Sequence, residues 1–182
     1  MRKRLGHTLR LGIASDGLAL VRINRLFGRA PVLLAEQRLD LFAPDALATG
    51  LRALFADHAP GGWTVSVVLA DELIRLWQVT PPQEATRMGD LEGAAALRFQ
   101  HLFGAPPAEW VIRADWDAVK PFLASAAPLN LLDGLQLAAE THRFHLVDIR
   151  PQFGASLNQG RQARRAGAWF GQVHGGVLSL AA

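Results

Sequence analysis

Two runs of alternating apolar and polar residues, joined by Asp71-Glu72, stand out in the pattern of the chain. Side chains of a strand point to opposite faces in turn. One face of the first run therefore carries Trp63, Val65, Val67 and Leu69, and one face of the second carries Leu73, Arg75, Trp77 and Val79. Pro81 and Pro82 lack the N–H that a strand ladder needs, so pairing must end there. The pattern predicts a β-hairpin over residues 63–80.

The segments before this hairpin predict a three-stranded meander and a helix. The strands are expected at 9–14, 18–23 and 31–39, with turns at Ser15-Asp16-Gly17 and around Gly28. An Asp-Gly pair suits a backbone with positive φ at the first turn. The helix begins at Pro44-Asp45 and ends before Pro60, because apolar residues recur at helical spacing at Leu47, Leu51, Leu54 and Phe55.

The segments after the hairpin predict two helices and further strands. A helix over 84–103 ends at Gly104 and carries one apolar stripe formed by Met88, Leu91, Ala95, Phe99 and Leu102. The other helix begins at Pro128. Strands are expected at 109–115 and 121–126, at 144–149 with burial on both faces, and as a closing hairpin at 168–173 and 177–181 around Gly175-Gly176. Residues 152–166 are polar and rich in arginine.

Composition limits the classes of protein that the chain can belong to. With 182 residues, half of them apolar, it can bury a sizeable core, and it has no cysteine for disulfides or thiolate metal sites. The pI of about 10.5 exaggerates its basicity, because the formal net charge is only +3 and the basic residues are spread along the chain. Nucleic-acid binding is therefore not expected. No apolar run reaches the roughly 18 to 20 residues that span a bilayer, so a cytoplasmic location is expected.

Possible metal ligands have simpler structural interpretations. His142 and His145, with Glu140 and Asp148, could form a metal site, but a change from helix to strand separates their directions. A charged His142 instead suits the C-terminus of the third helix. His174 has no nearby acidic partner in the sequence. No metal site is therefore expected.

Catalytic groups are not apparent either. Asp115 and Asp117 could serve as acid and base, although they sit where a strand ends and where Asp commonly turns the chain. The sequence contains no nucleophile elbow, Walker loop or dinucleotide fingerprint. We therefore expect that the protein is not an enzyme.

Several stretches of the chain resemble one group of bacterial proteins. They are Val65-Ser-Val-Val-Leu-Ala-Asp-Glu-Leu-Ile-Arg75 before Pro81-Pro82, then Glu109-Trp-Val-Ile-Arg-Ala-Asp115, His145-Leu-Val-Asp-Ile-Arg-Pro-Gln-Phe153, Asn158, and Trp169 before Gly175-Gly176. Together they are similar to the PilM family, the actin-like cytoplasmic proteins of type IV pilus machines. They are also similar to the cytoplasmic domain of the inner-membrane platform protein of type II secretion.

This resemblance implies an α/β, ribonuclease-H-like lobe of the actin-like ATPase superfamily with an inserted hairpin-and-helix subdomain. One actin-like domain would span residues 1–182, with its core lobe at 1–62 and 128–166 and the insertion at 63–127. Residues 167–182 would begin a second lobe or form a closing hairpin. The implied function is that of a non-catalytic scaffold in a type IV pilus or type II secretion platform, peripheral to the inner membrane and attached through partners.

Departures from the nucleotide-binding pattern disfavour ATP and magnesium as cofactors. Nucleotide-binding members carry an acidic residue in the first hairpin where this chain has Ala14, and Asp16 comes two residues late. The turn at His174-Gly175-Gly176 also lacks a carboxylate. The alternative function is an ATP-binding actin-like protein completed by a second chain or a homodimer. A ribonuclease H remnant would need a carboxylate on the first strand, which has none.

The partner implied by the resemblance is the cytosolic tail of an inner-membrane protein, lying in a groove between the first lobe and its insertion. Arg75, Trp77 and Trp110 are the candidate partner-binding residues. Core packing is the default role of the tryptophans, although Trp is also a common interface anchor. Arg75 could pair with a carboxylate or lie on a solvated face. The basic residues Arg161, Arg164 and Arg165 could likewise meet acidic lipid or a partner, or form a solvated helix face.

Overall fold

The described part of the chain comprises residues 6–24, 30–58, 61–160 and 167–181 of a computed structural model. The expected turn around Gly28 lies outside these ranges. The helices are α1 (Ala46–His58), α2 (Met88–Phe103), α3 (Leu129–His142) and α4 (Gln152–Gln159). The strands are β1 (His7–Ala14), β2 (Gly17–Asn24), β3 (Val32–Arg38), β4 (Thr64–Leu69), β5 (Arg75–Val79), β6 (Trp110–Ala114), β7 (Phe122–Pro128), β8 (His145–Pro151), β9 (Phe170–His174) and β10 (Val177–Ala181).

The chain divides into two compact units. Unit 1 comprises Met1–Leu73 and Gly134–Ala182, and unit 2 comprises Ile74–Asp133. Unit 2 therefore interrupts unit 1 in the sequence. The predicted start of the insertion at residue 63 is corrected to residue 74, because β4 pairs within the sheet of unit 1.

Unit 1 is built on a five-stranded mixed sheet in the order β3-β2-β1-β4-β8. β1, β2 and β3 are antiparallel neighbours, whereas β4 lies parallel to both β1 and β8. The predicted meander is confirmed, and so is its place in one sheet with the strand at 144–149. β8 is an edge strand with an exposed Val147, so the expected burial of this strand on both faces is wrong.

The core of unit 1 gathers on one face of this sheet. The register places Leu9 beside Val65 and Leu11 beside Val67, and all four side chains are fully buried. Residues directly opposite in neighbouring strands share a face, so this face is apolar across β1 and β4. The helices add further buried side chains, namely Leu51, Leu54, Phe55, Leu135, Ala138 and Ala139.

β4 and β5, the two runs predicted to pair as a hairpin, belong to different sheets. β4 pairs with β1 and β8, whereas β5 pairs antiparallel with β7. A short 3-10 turn at Asp71–Leu73 separates them. Two-residue hairpins require positive φ in the turn, which neither Asp71 nor Glu72 has. The hairpin prediction is wrong because alternation defines the faces of a strand but not its pairing partner.

Unit 2 is a three-stranded antiparallel sheet, β5-β7-β6, that packs against α2. Leu91, Ala95 and Phe99 of the predicted stripe are buried, but Met88 and Leu102 are 52% and 44% exposed. The buried stripe is therefore shorter than predicted. α2 ends as expected at Gly104, whose backbone is left-handed with a φ of 65°. The core of unit 2 is formed by Trp77, Val79, Leu91, Ala95, Phe99, Phe122, Ala124 and Ala126.

Glycine has different roles in the two hairpin turns of unit 1. Gly175 and Gly176 have φ of 55° and 76°, as a two-residue turn between β9 and β10 requires. Gly17 does not have positive φ, contrary to the expectation for the first turn. A Cβ at residue 17 would instead stand 2.7 Å from the backbone oxygen of Gln37, so the close approach of β3 requires glycine there.

Candidate functional site

Arg75 and Trp110, two of the three candidate partner-binding residues, lie together in unit 2. The guanidinium carbon of Arg75 is 5.5 Å from the ring centroid of Trp110 and 5.9 Å from that of Phe103. An arginine over aromatic faces at these distances is held by cation–π attraction. All three side chains are partly exposed. We call Arg75, Phe103 and Trp110 the Arg75 patch.

Trp77, the third candidate, belongs to the core of unit 2 instead. It is 5% exposed, and its ring packs at 5.3 Å from Phe99 and 5.9 Å from Phe103. Its indole N–H is buried and has no hydrogen-bond partner among the described residues. Trp77 is therefore a core residue, as its default interpretation held. It contacts the Arg75 patch through Phe103.

The other tryptophans lie outside this patch. Trp63 precedes β4 in unit 1, where its backbone oxygen accepts a hydrogen bond from the backbone N–H of His145 at 2.7 Å. Trp116 packs against Phe122 at 5.6 Å. Trp169 precedes β9 and is 71% exposed. Sequence position alone therefore did not separate core, patch and surface tryptophans.

The first hairpin turn of unit 1 has a carboxylate beside it that sequence inspection missed. Glu72 Oε1 accepts hydrogen bonds from the backbone N–H of Ser15 at 3.1 Å and from the Ser15 hydroxyl at 3.4 Å. Ala14 ends β1 and Asp16 is exposed in the turn. A residue 57 positions away in the sequence therefore occupies the donors of this turn.

The same carboxylate also meets the turn between β9 and β10. Glu72 Oε2 lies 3.8 Å from His174 Nδ1, so the expectation that His174 has no acidic partner is wrong. A Cβ on Gly175 would stand 2.7 Å from Glu72 Oε2. Glu72 thus fills the space between these two turns of unit 1. The space between the two turns is therefore occupied by a side chain of the chain itself.

Asp71, the neighbour of Glu72, joins three other segments of unit 1. Its carboxylate accepts hydrogen bonds from the backbone N–H of Phe153 at 3.0 Å, from the Ser179 hydroxyl at 3.0 Å and from the Gln172 amide at 3.5 Å. Asp71 is 6% exposed, and a buried carboxylate needs such donors. The 3-10 turn therefore fixes α4 and both strands of the last hairpin.

The histidines and acidic residues near α3 do not converge as metal ligands. The His142 ring stacks on Phe55 with centroids 5.8 Å apart, while Asp148 pairs with Arg150 on the same strand. Within the ranges that the structure describes, no group of three or more potential ligands could hold a metal ion. Burial, assisted by the charge of Arg52, lowers the pKa of His142. His142 lies in the last turn of α3 as predicted, but these surroundings favour the neutral imidazole over the charged form.

Asp117 turns the chain, as its position between β6 and β7 suggested. Its Oδ1 accepts hydrogen bonds from the backbone N–H groups of Val119 at 2.7 Å and Lys120 at 2.9 Å. These two bonds lower the pKa of the exposed Asp117 carboxyl. The turn interpretation is confirmed.

The basic residues Arg161, Arg164 and Arg165 lie outside the described residues. No helix among those described has the length and apolarity to cross a membrane.

No protein-family model and no curated protein matches the sequence. Solved structures do match the fold. The chain is similar to the cytoplasmic domain of EpsL, an inner membrane component of the type II secretion system of Vibrio cholerae, at 12% identity and a TM-score of 0.58, over 80% of this chain and 56% of that one. It is similar to a Bacteroides thetaiotaomicron protein with an actin-like ATPase fold, at 14% identity and a TM-score of 0.65, over 98% and 65%. A chain of the PilM-PilN type IV pilus biogenesis complex matches at 18% identity and a TM-score of 0.55, over 85% and 50%.

These likenesses establish the fold. The predicted actin-like α/β architecture is confirmed, and the matched structures include members of both groups that the sequence resembles. The chain spans between 50% and 65% of the length of these three structures.

Proposed function

We propose that this protein is a non-catalytic assembly component of a type II secretion or type IV pilus platform. It would act in the cytoplasm and bind the cytosolic tail of an inner-membrane protein, which would hold it at the membrane. The fold similarity to the EpsL cytoplasmic domain and to a chain of the PilM-PilN complex supports this class of function.

The observation that carries the binding proposal is the Arg75 patch. An arginine held against two partly exposed aromatic rings combines the residue types that most often anchor protein interfaces. Phe103 and Trp110 of this patch pack against Trp77 and Phe99, which belong to the core of unit 2. A short peptide could bury the exposed faces of Phe103 and Trp110 against its own apolar side chains.

The ATP-binding alternative ranks lower. Glu72 satisfies the backbone donor of the first turn and lies beside the second, so binding a phosphate would require its displacement. Completion by a second chain or a homodimer would not remove this carboxylate. The proposal therefore assigns the protein no nucleotide chemistry.

The test is capture of a membrane partner from solubilised inner membranes of the source bacterium, with mass spectrometry to identify it and a titration with its synthetic tail. Trp110→Ala should weaken tail binding by roughly 2 kcal/mol or more, with an unchanged melting temperature. Trp77→Ala should instead lower the melting temperature, because Trp77 is a core residue.

Trp169→Ala is the matched control, because Trp169 is an exposed tryptophan outside unit 2. It should leave tail binding unchanged. If Trp169→Ala weakens binding while Trp110→Ala does not, the contact surface lies elsewhere. If no membrane protein with a cytosolic tail is captured, the proposed function is wrong.

A further inference from the structure

The guanidinium of Arg75 contacts two aromatic rings and a backbone oxygen, but it pairs with no carboxylate among the described residues. An arginine offers five N–H donors. One Nη1 donor of Arg75 bonds to the backbone oxygen of Ile74 at 3.0 Å, and the rings of Phe103 and Trp110 hold the group from its sides. Within the described part of the chain, ion pairs form at Arg150 and at His174, and no carboxylate pairs with Arg75.

This arrangement differs from that of an ordinary surface arginine. A solvated arginine loses side-chain freedom when it binds an anion, which offsets much of the gain. The rings have already ordered Arg75, so less freedom remains to be lost. Aromatic faces also leave the N–H edges of a guanidinium open, and two parallel N–H groups match the two oxygens of a carboxylate.

We infer that Arg75 is a carboxylate receptor, and that the tail bound by the Arg75 patch places an Asp or Glu side chain against its guanidinium, next to apolar residues on Phe103 and Trp110. The inference rests on the proposed function for the identity of the partner. The chemistry itself, a carboxylate flanked by apolar groups, follows from the side chains of the patch.

Arg113 provides a matched control within the same sheet. Its Nη1 donates to the backbone oxygen of Ile112 at 2.9 Å, just as Arg75 donates to that of the residue before it. Arg113 is exposed. Among the described residues it makes no cation–π contact of the kind that Arg75 makes with Phe103 and Trp110. The two arginines thus share a charge and a backbone contact but differ in their aromatic support.

The test uses NMR of the full chain, titrated with the blocked peptides N-acetyl-Leu-Glu-Leu-amide and N-acetyl-Leu-Gln-Leu-amide. The Glu peptide should shift the Nε–H signal of Arg75 and the indole N–H signal of Trp110 saturably, with a Kd at least about tenfold below that of the Gln peptide. The Arg113 signal should not saturate. Arg75→Gln should abolish the difference between the peptides, Arg75→Lys should retain part of it, and Arg113→Gln should leave it unchanged.

Three results would overturn the inference. Equal affinity for the two peptides would show that only apolar contacts matter. Parallel shifts of Arg75 and Arg113 would show general charge screening. A phosphoserine peptide that binds more than tenfold tighter than the Glu peptide would identify a phosphate receptor instead. Melting curves of Arg75→Lys, which keeps the charge and the aliphatic stem, separate lost recognition from lost folding.

The outcome is independent of the membrane experiment. If the Glu peptide binds as expected and no membrane partner is captured, the carboxylate receptor stands and the proposed function fails. If a captured tail depends on Trp110 but binds equally well to Arg75→Gln, the proposed function stands and the carboxylate receptor is wrong.

Discussion

The carboxylate of Glu72 accepts a hydrogen bond from the backbone N–H of Ser15, with the oxygen and nitrogen 3.1 Å apart. The acceptor lies 57 positions away in the sequence, so a tertiary contact, rather than a residue of the turn itself, satisfies this N–H. The first hairpin turn of unit 1 is therefore joined to the 3-10 turn that carries Glu72.

We expect no measurable heat when ATP with magnesium is titrated into the protein in a calorimeter. Glu72 would oppose a phosphate at the first turn, and Ala14 provides no carboxylate to position a metal. Ala14→Asp should not create binding on its own, because it leaves Glu72 in place. Micromolar affinity in either protein would favour the ATP-binding alternative.

Glu72→Ala should destabilise the protein by about 1 to 3 kcal/mol, because the partly buried N–H of Ser15 loses its acceptor. Chemical denaturation monitored by tryptophan fluorescence measures the change. Asp16→Ala is the control in the same turn, since the Asp16 side chain is exposed, and it should stay within about 0.5 kcal/mol of the parent. Equal effects of the two substitutions would show that Glu72 does not hold the turn.

Phe99→Ala should lower the free energy of unfolding by about 3 to 5 kcal/mol, because Phe99 is fully buried between α2 and the sheet of unit 2. Urea denaturation provides the measurement. Leu97→Ala lies on the same helix at a site that is 71% exposed, and it should change stability little. A cost below about 1 kcal/mol for Phe99→Ala would mean that α2 presents another face to the sheet.

Stability should fall as the pH drops below the unfolded-state pKa of His142, near 6.5. Burial lowers the folded-state pKa of His142, so the unfolded chain binds more protons in this range. Acid therefore favours unfolding until the folded-state pKa is passed. Melting temperatures between pH 7.5 and 5 should show this slope, and His142→Gln should reduce it. Leu137→Ala, at an exposed position of α3 that carries no titratable group, should leave the slope unchanged.

Local signals in the sequence predicted much of the fold. The Gly175-Gly176 pair specified the last hairpin because few residues other than glycine tolerate consecutive positive φ values. The apolar stripe through Leu91, Ala95 and Phe99 specified α2 and its buried face. These features depend on neighbours within a few residues, which a sequence pattern records directly.

The remaining features depend on contacts between distant residues. Nothing near β4 shows that it pairs parallel with β1 rather than with β5, and nothing near Glu72 reveals Ser15, which lies 57 positions away. Of the three candidate partner-binding residues, Arg75 and Trp110 lie together beside Phe103, which the sequence did not single out, whereas Trp77 is buried in the core. Asp71 and Glu72 are two charged residues in a turn that lacks glycine. This was the available signal in the sequence that they make contacts with distant residues.

The contacts of Asp71 also constrain how the molecule is made. Its carboxylate accepts from residues 82 and 108 positions further along the chain. At a translation rate of about 5 to 20 residues per second, roughly 5 to 20 s separate the synthesis of Asp71 from that of Ser179. Until then the growing chain holds a carboxylate that cannot yet be buried with its donors. The contacts of Asp71 with α4 and with the last hairpin can therefore form only after residue 179 has been synthesised.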